Sequence, residues 1–451
     1  MPGGSQQRME SATTFSAMGP RERIEALVDA GSFAPLPGIA SAVLAGPACV
    51  GGEPAVLAAF DATDAGGSIG WREAEQLIAA CELCQREGWP LLLVIDSAGA
   101  RLTEGLRALG AFRRLYRRVL ALAAVGGRLL ALLPRHAFGG ASMLAFACER
   151  RIYSERTLLA MSGPTIIEAL GGRDQLDARD RDAVRKLMGG KSRCRHGGEE
   201  QRVADSALAF REATLRWMEQ IKKQTPPPLD QRHGDLQARL AAFGREPVPP
   251  SPADPVPRAL ARRLEVLFPR GYCAGFRDGV LWGTAATDAG PVGLLGLLGG
   301  EPVGACRAWL LAEGALAFSH AHPALPLVLL MDAPGHAARS ADEQVILSAY
   351  LAHLAQVLHH VKERCPLTLL VTGAAAGGIY VSLACPAERV WALPRTCIME
   401  LPPRAVAQVL GAAEEEDRSS ARLLALGVVD RVLSADEFAR AGRTLFDRGL
   451  P

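Results

Sequence analysis

Two kinds of apolar run alternate along the first half of this chain. PAVLAAF (54–60), LLLVID (91–96) and RLLALLP (128–134) are short, unbroken and apolar, as buried strands are. Between them lie stretches with apolar residues at helical spacing: one opening at Trp71, one over 104–124 and one after Gly140. An amphipathic helix, PRERIEALVDAGSF (20–33), precedes them, with Pro20 suited to a first turn and Gly31 to a stop. This alternation predicts an α/β fold with buried strands. Farther on, Ile346, Leu347, Tyr350, Leu351, Leu354, Val357, Leu358 and Val361 predict one helix over 340–364, its broad apolar face either core or an interface between halves.

The pattern is duplicated. PLLLVIDSAGAR (90–101) answers PLVLLMDAPGHAAR (326–339), and HAFGGAS (136–142) answers TGAAAGGIY (372–380). Gly139 follows Asp96 by 43 residues and Gly377 follows Asp332 by 45. From Gly140 it is 11 residues to Arg151 and 24 to Pro164; from Gly378 it is again 11 to Arg389 and 24 to Pro402. Matched spacing of this kind predicts two copies of one domain. Residues 1–18 are expected to be a flexible N-terminus, 19–222 the first domain, 223–257 a proline-rich linker holding one short helix (DLQARLAAFG), and 258–451 the second domain.

Composition narrows the classes. Hydrophobic residues make up 49% and charged residues 22%, as in a globular protein, and a formal charge of +2 without an aromatic-laced basic stripe gives no sign of nucleic acid. The most apolar stretch (119–134) contains Arg128 and two glycines and is too short for a membrane span. The N-terminus lacks the apolar core of a signal peptide, and ten scattered cysteines fit reduced thiols, so a cytoplasmic location is expected. Cys81 and Cys84 continue the apolar face of Leu77 and are expected in the core rather than on a metal. No zinc-ligand spacing occurs among the nine histidines, GGKS (189–192) lacks the upstream glycine of a phosphate loop, and there is no biotin-attachment sequence.

A glycine pair between a strand and a helix permits a sharp turn, leaves no Cβ in a ligand's way, and aims unpaired helix N-terminal amides at one point. Such a corner suits an oxyanion, and each amide donor there is worth roughly 2.7–4 kcal/mol. Gly139, Gly140, Gly377 and Gly378 are therefore the candidate catalytic positions. Arg107, Arg114 and Arg118 share a helical face that suits a phosphate or an acidic carrier, or is simply solvated. His136 is either a proton shuttle or a structural histidine. Ser142 and Tyr380 follow their corners closely enough to line a pocket, and Glu104 and Glu168 are candidate acids or caps.

These residues also carry a resemblance. DSAGARLTEG (96–105), HAFGGAS and SGPTIIEALGG (162–172) resemble the carboxyltransferase family of acyl-CoA carboxylases, in the crotonase-like superfamily. More closely, 19–33, 162–170 and 177–198 are similar to the beta subunit of biotin-independent malonate decarboxylases, and 348–364, 372–394 and 397–411 to the gamma subunit, as if the two were fused. The resemblance implies two crotonase-like domains of β-β-α units, an N-type and a C-type. It implies decarboxylation of a malonyl thioester, carried by the phosphopantetheine of an acyl carrier protein or by coenzyme A, through an enolate and without biotin or metal. An acyltransferase subunit and a homo-oligomer are the implied partners. The alternatives are the carboxyltransferase component of a biotin-dependent acyl-CoA carboxylase, or a non-catalytic scaffold for carrier proteins. Carried over by motif, Gly139 and Gly140 form the first oxyanion corner, Gly377 and Gly378 the second, and Gly99 and Arg101 contact substrate. The first corner is expected to hold the enolate and the second to orient the carboxylate or the protonation site. Where the family reads Asp-Ser-Gly-Gly-Ala-Arg, this chain has Ala98, which predicts a less permissive turn.

Overall fold

The computed structural model describes residues 14–194, 200–411 and 417–448. In the first half, β1 (Val43–Val50) and β2 (Glu53–Phe60) form an antiparallel hairpin, followed by β3 (Leu91–Val94), β4 (Leu129–Leu133), β5 (His136–Phe138), β6 (Arg150–Ser154), β7 (Leu158–Ala160) and β8 (Glu200–Val203). Gly51 and Gly52 make the hairpin turn at φ +62° and +80°, the twist a two-residue loop requires. The main sheet runs β1-β2-β3-β4-β6-β8 and is parallel from β2 onward, while β5 and β7 pair apart from it.

The second half repeats this plan with β9 (Tyr272–Arg277), β10 (Val280–Thr287), β11 (Gly290–Leu297), β12 (Leu327–Ala333), β13 (Leu367–Ala376), β14 (Arg389–Ala392), β15 (Cys397–Met399) and β16 (Arg431–Val432). Its sheet runs β16-β14-β13-β12-β11-β10-β9, with β15 on the far end of β13. The two halves are thus α/β units of one repeated plan. Parallel strands covered on both faces explain the unbroken apolar runs.

Helices from both halves fill one shared layer. Leu106–Ala124 and Gly140–Ala147 from the first half pack against Leu347–Val361 and Gly377–Ala384 from the second, in a single apolar core. Each fully buried leucine or isoleucine there contributes ~1.5–3 kcal/mol. Cys81 and Cys84 belong to this core, and burial pushes the Cys81 thiol up to about 12. Polar ties cross the layer as well. Arg113 forks onto Asp430 at 2.9 and 3.0 Å and donates to the carbonyls of Gly427 and Val428, while Arg117 donates to those of Cys385 and Ala387.

Four expectations need correction. The single helix over 340–364 is two, Ser340–Gln344 and Leu347–Val361, broken at Ile346, which sits at φ +66°. The first helix stops at Leu27, where Val28 turns extended, well before Gly31. Residues 15–18 are no flexible tail, because Phe15 stacks on Phe210 at 4.4 Å and Ser16 bonds Asp205; residues 1–13 lie outside the described residues. The linker is docked: its helix starts at Leu229, buries Leu236 and Leu240, and takes the Tyr350 hydroxyl on the Leu236 carbonyl.

Arg113 is only 4% exposed, so replacing it removes a buried donor from the carbonyls of Gly427 and Val428 and from the Asp430 carboxylate of the other half. Arg113→Met is expected to cost about 3 kcal/mol, read as a lowered urea midpoint for contact between the halves. An unchanged midpoint would mean that this fork does not hold them together.

Candidate functional site

The first corner forms where β5 ends. Gly139 adopts φ +54°, and the chain turns into the helix Gly140–Ala147. The Gly139 amide is spent on the Ala160 carbonyl at 3.1 Å, and the Gly139 carbonyl accepts from the amides of Ser142 and Met143. Gly140 and Ala141 are left as first-turn donors, and among the described residues they carry no hydrogen bond. Of the two glycines expected to offer an amide at this corner, Gly139 has its amide engaged and Gly140 does not. Gly99, at φ +104°, packs against the corner, where an added Cβ would lie 2.9 Å from the Phe138 carbonyl oxygen. The turn keeps glycine where positive φ demands it, and Ala98 is accommodated without that need.

The second corner joins β13 to the helix Gly377–Ala384, with Gly377 at φ +58°. Here the Gly378 amide donates to Nδ1 of His336 at 3.4 Å. Burial holds this imidazole down at about 4, so it is neutral at pH 7, and an acceptor at Nδ1 places the ring proton on Nε2. A Cβ on Gly377 would lie 2.9 Å from that Nδ1, and one on Gly378 only 2.5 Å from the methyl of Met161 and 3.1 Å from the sulfur of Met143. Positive φ calls for glycine at 377, and a Cβ at 378 would have to displace the Met161 methyl.

Both corners open on one cavity of about 270 Å³. Gly139, Gly140, Gly377, Gly378 and His336 line it, with Leu109, Phe112, Phe138, Met143, Met161 and Val381 as its apolar wall. Such a wall excludes water and strengthens any polar contact inside. Ser162 also lines it; its buried hydroxyl has no partner among the described residues. Gly99 and Arg101 reach the cavity as expected, but the Arg101 guanidinium is held by Ser68 and lies 3.2 Å from Glu73.

Other expected site residues lie elsewhere. Ser142 bonds the Gly139 carbonyl and Ser348, both at 2.7 Å, and Tyr380 donates to the Val428 carbonyl; the inward faces of their helices bury both in the core, outside the cavity. His136 stacks near Phe138, is held below its ordinary value by burial, and does not line the cavity. Arg107 covers Trp71 at 4.1 Å, Arg114 pairs with Glu75 at 2.8 Å and Arg118 with Glu82 at 2.9 Å. Carboxylates of the neighbouring helix thus answer two of the three cations, and the face borders solvent rather than the cavity. Glu104 accepts from the Trp71 amide as a cap, and Glu168, held below the usual range by the Ala178 amide and by Arg173, braces a loop.

Sequence reasoning missed His336, Ser162 and Glu343. The duplication held a signal for the first, since Gly335 and His336 stand where the first half has Gly99 and Ala100. Glu343 gave none. Its carboxylate, wholly buried, accepts the amides of Met161 and Ser162 at 2.9 and 3.0 Å and meets Arg193 at 3.3 Å, and Arg193 also holds the carbonyls of Leu159 and Glu343. Glu343 thereby clamps the cavity wall of one half from the other.

The profile of the carboxyl transferase domain matches residues 17–441. Among curated proteins, the chain is 23% identical over 421 residues to a biotin-dependent acetyl-/propionyl-coenzyme A carboxylase beta5 subunit of Mycobacterium leprae, covering 84% of this chain and 73% of that protein. It is 27% identical over 429 residues to the acetyl-coenzyme A carboxylase carboxyl transferase subunits beta/alpha of Salinispora tropica, covering 88% and 74%. Among solved structures, a Pseudomonas malonate decarboxylase hetero-tetramer in complex with malonate aligns at 28% identity and a TM-score of 0.47, over 51% of this chain and 92% of that one.

Burial pushes the Glu343 carboxyl up to about 7, against the pull of Arg193 and the two amides. Between pH 4.5 and 7 the folded protein therefore holds this proton more tightly than the unfolded chain does. The contribution is full below pH 4.5 and is lost as pH rises through 7. Glu343→Gln is expected to remove this part of the slope, and to lower stability chiefly above pH 7, where the ionised carboxylate would otherwise balance Arg193. The check is urea unfolding of both proteins from pH 5 to 8; parallel profiles would contradict the assignment.

Proposed function

Because the chain belongs to the carboxyl transferase family, we propose that it makes or breaks the bond between a carboxyl group and the α-carbon of an acyl thioester, through an enolate. The observation that carries this reading is the single apolar cavity lined by both glycine corners. The thioester carbonyl would lie on the Gly140 and Ala141 amides, which bind the developing oxyanion more strongly than the ground-state carbonyl. The apolar wall would keep water from the carbanion.

Two outcomes share this chemistry. In the first reading, the substrate is a malonyl thioester, on a carrier protein or coenzyme A, which loses carbon dioxide to give the acetyl thioester. Its support is the second corner, where the Gly378 amide is turned to the His336 ring. The second reading is carboxyl transfer to or from an acyl-CoA by way of a biotinylated partner, and the names of the curated relatives support it.

Mixing the purified protein with malonyl-CoA, or with a malonyl-loaded carrier protein, and following the acetyl thioester by mass spectrometry separates the readings. Decarboxylation is expected without any biotinylated protein and is indifferent to avidin. Turnover that appears only with a biotinylated carrier, and is stopped by avidin, would favour transfer. A folded protein inert under both conditions would leave only a carrier-docking scaffold.

A further inference from the structure

Among the described residues, no other histidine is placed as His336 is. It lines the cavity, its Nδ1 is turned onto the second glycine corner, and it follows the positive-φ Gly335 in a stretch pinned by the bonds of Val303 to Gly335 and of Ala337 to Val303. Decarboxylation needs one group that the first corner lacks, a donor that delivers a proton to the α-carbon once carbon dioxide has left. The other polar side chains on the cavity wall are Ser68, Arg101, Thr103, Ser162 and Glu400; of these, Arg101 is held by Ser68 and Glu73, Ser68 bonds Arg101, and Ser162 offers a hydroxyl whose backbone is fixed by Glu343. The imidazole alone combines a fixed tautomer with an N–H on the ring edge facing away from the Gly378 amide.

We propose that His336 is the proton donor of the reaction, with the Gly378 amide holding its tautomer so that Nε2–H serves the α-carbon of the enolate. The inference rests on the decarboxylation reading above. The bond between the α-carbon and the carboxylate breaks and its electron pair enters the thioester enolate as carbon dioxide departs. That pair then takes the proton from Nε2, forming the new carbon–hydrogen bond. The imidazole recovers a proton from water, and the hydroxide produced combines with carbon dioxide as bicarbonate. A thioester enolate carbon is a far stronger base than imidazolate, so transfer from a neutral imidazole runs downhill, and a buried neutral imidazole acting as a donor is an established arrangement. The second glycine corner therefore acts through a side chain, whereas the first acts through backbone amides.

The experiment compares wild-type protein with His336→Ala and His336→Gln on malonyl-CoA, after circular dichroism and thermal unfolding confirm folding. Loss of one such group is expected to lower kcat by about 10²- to 10³-fold in His336→Ala with KM little changed. Added imidazole, filling the space left, is expected to restore part of the rate. His336→Gln, which can accept from Gly378 through its carbonyl and donate through its amide, should keep more activity than His336→Ala. Separately, 15N NMR of labelled histidine at pH 7 should report a neutral Nε2–H ring at position 336, whether or not turnover is seen. Wild-type protein without decarboxylation would sink the reading itself. Wild-type turnover matched by His336→Ala, or a protonated or Nδ1–H ring, would overturn the inference alone.

Discussion

Two open sheets share one layer of helices, and everything at the site depends on that. Each parallel sheet must cover an apolar face, and here the faces are covered jointly, so helices of the first half lie against helices of the second. The helices beginning at Gly140 and Gly377 are consequently brought end to end across Met143 and Met161 instead of pointing to separate surfaces. Arg113 on Asp430, and Arg193 on Glu343, tie the two halves together, each with an arginine of the first half on a carboxylate of the second. A buried ion pair is weak evidence for stability, yet removing one partner, as at Arg193 and Glu343, strands the other.

The two corners have become unequal inside this duplicated frame. Both keep a glycine at positive φ and both start an eight-residue helix, so each retains the same backbone geometry. What differs is how the amides are spent. In the first corner the β5–β7 pairing takes Gly139 and leaves Gly140 and Ala141. In the second, His336 sits on Gly378. A donor site for a carbonyl oxygen and a site presenting an N–H through imidazole are complementary, which is what an enolate needs when it must be held at oxygen and served at carbon.

Much of this was legible in the chain. The strand and helix runs of the first half, the duplicated glycines and the burial of Cys81 and Cys84 all follow from local periodicity and spacing. What was not legible depends on contacts distant in sequence. Nothing near Gly139 says that Ala160 will take its amide, and nothing near Arg114 or Arg118 names Glu75 and Glu82 as partners. Ser142 and Tyr380 follow the glycines closely, yet helical rotation turns them into the core. The break at Ile346 runs against an uninterrupted apolar pattern; it accompanies the seating of Glu343 beneath Met161 and Ser162, a cross-half bond that no periodicity encodes.

The central claim is that one negatively charged intermediate is held between converging corners. The most direct measurement is an experimental structure with a ketone analogue of malonyl-CoA bound. The account predicts the carbonyl oxygen within hydrogen-bond distance of the Gly140 and Ala141 amides, with the acyl end directed toward His336. A carbonyl turned away from both amides, or an acyl group seated outside the cavity between the halves, would contradict it.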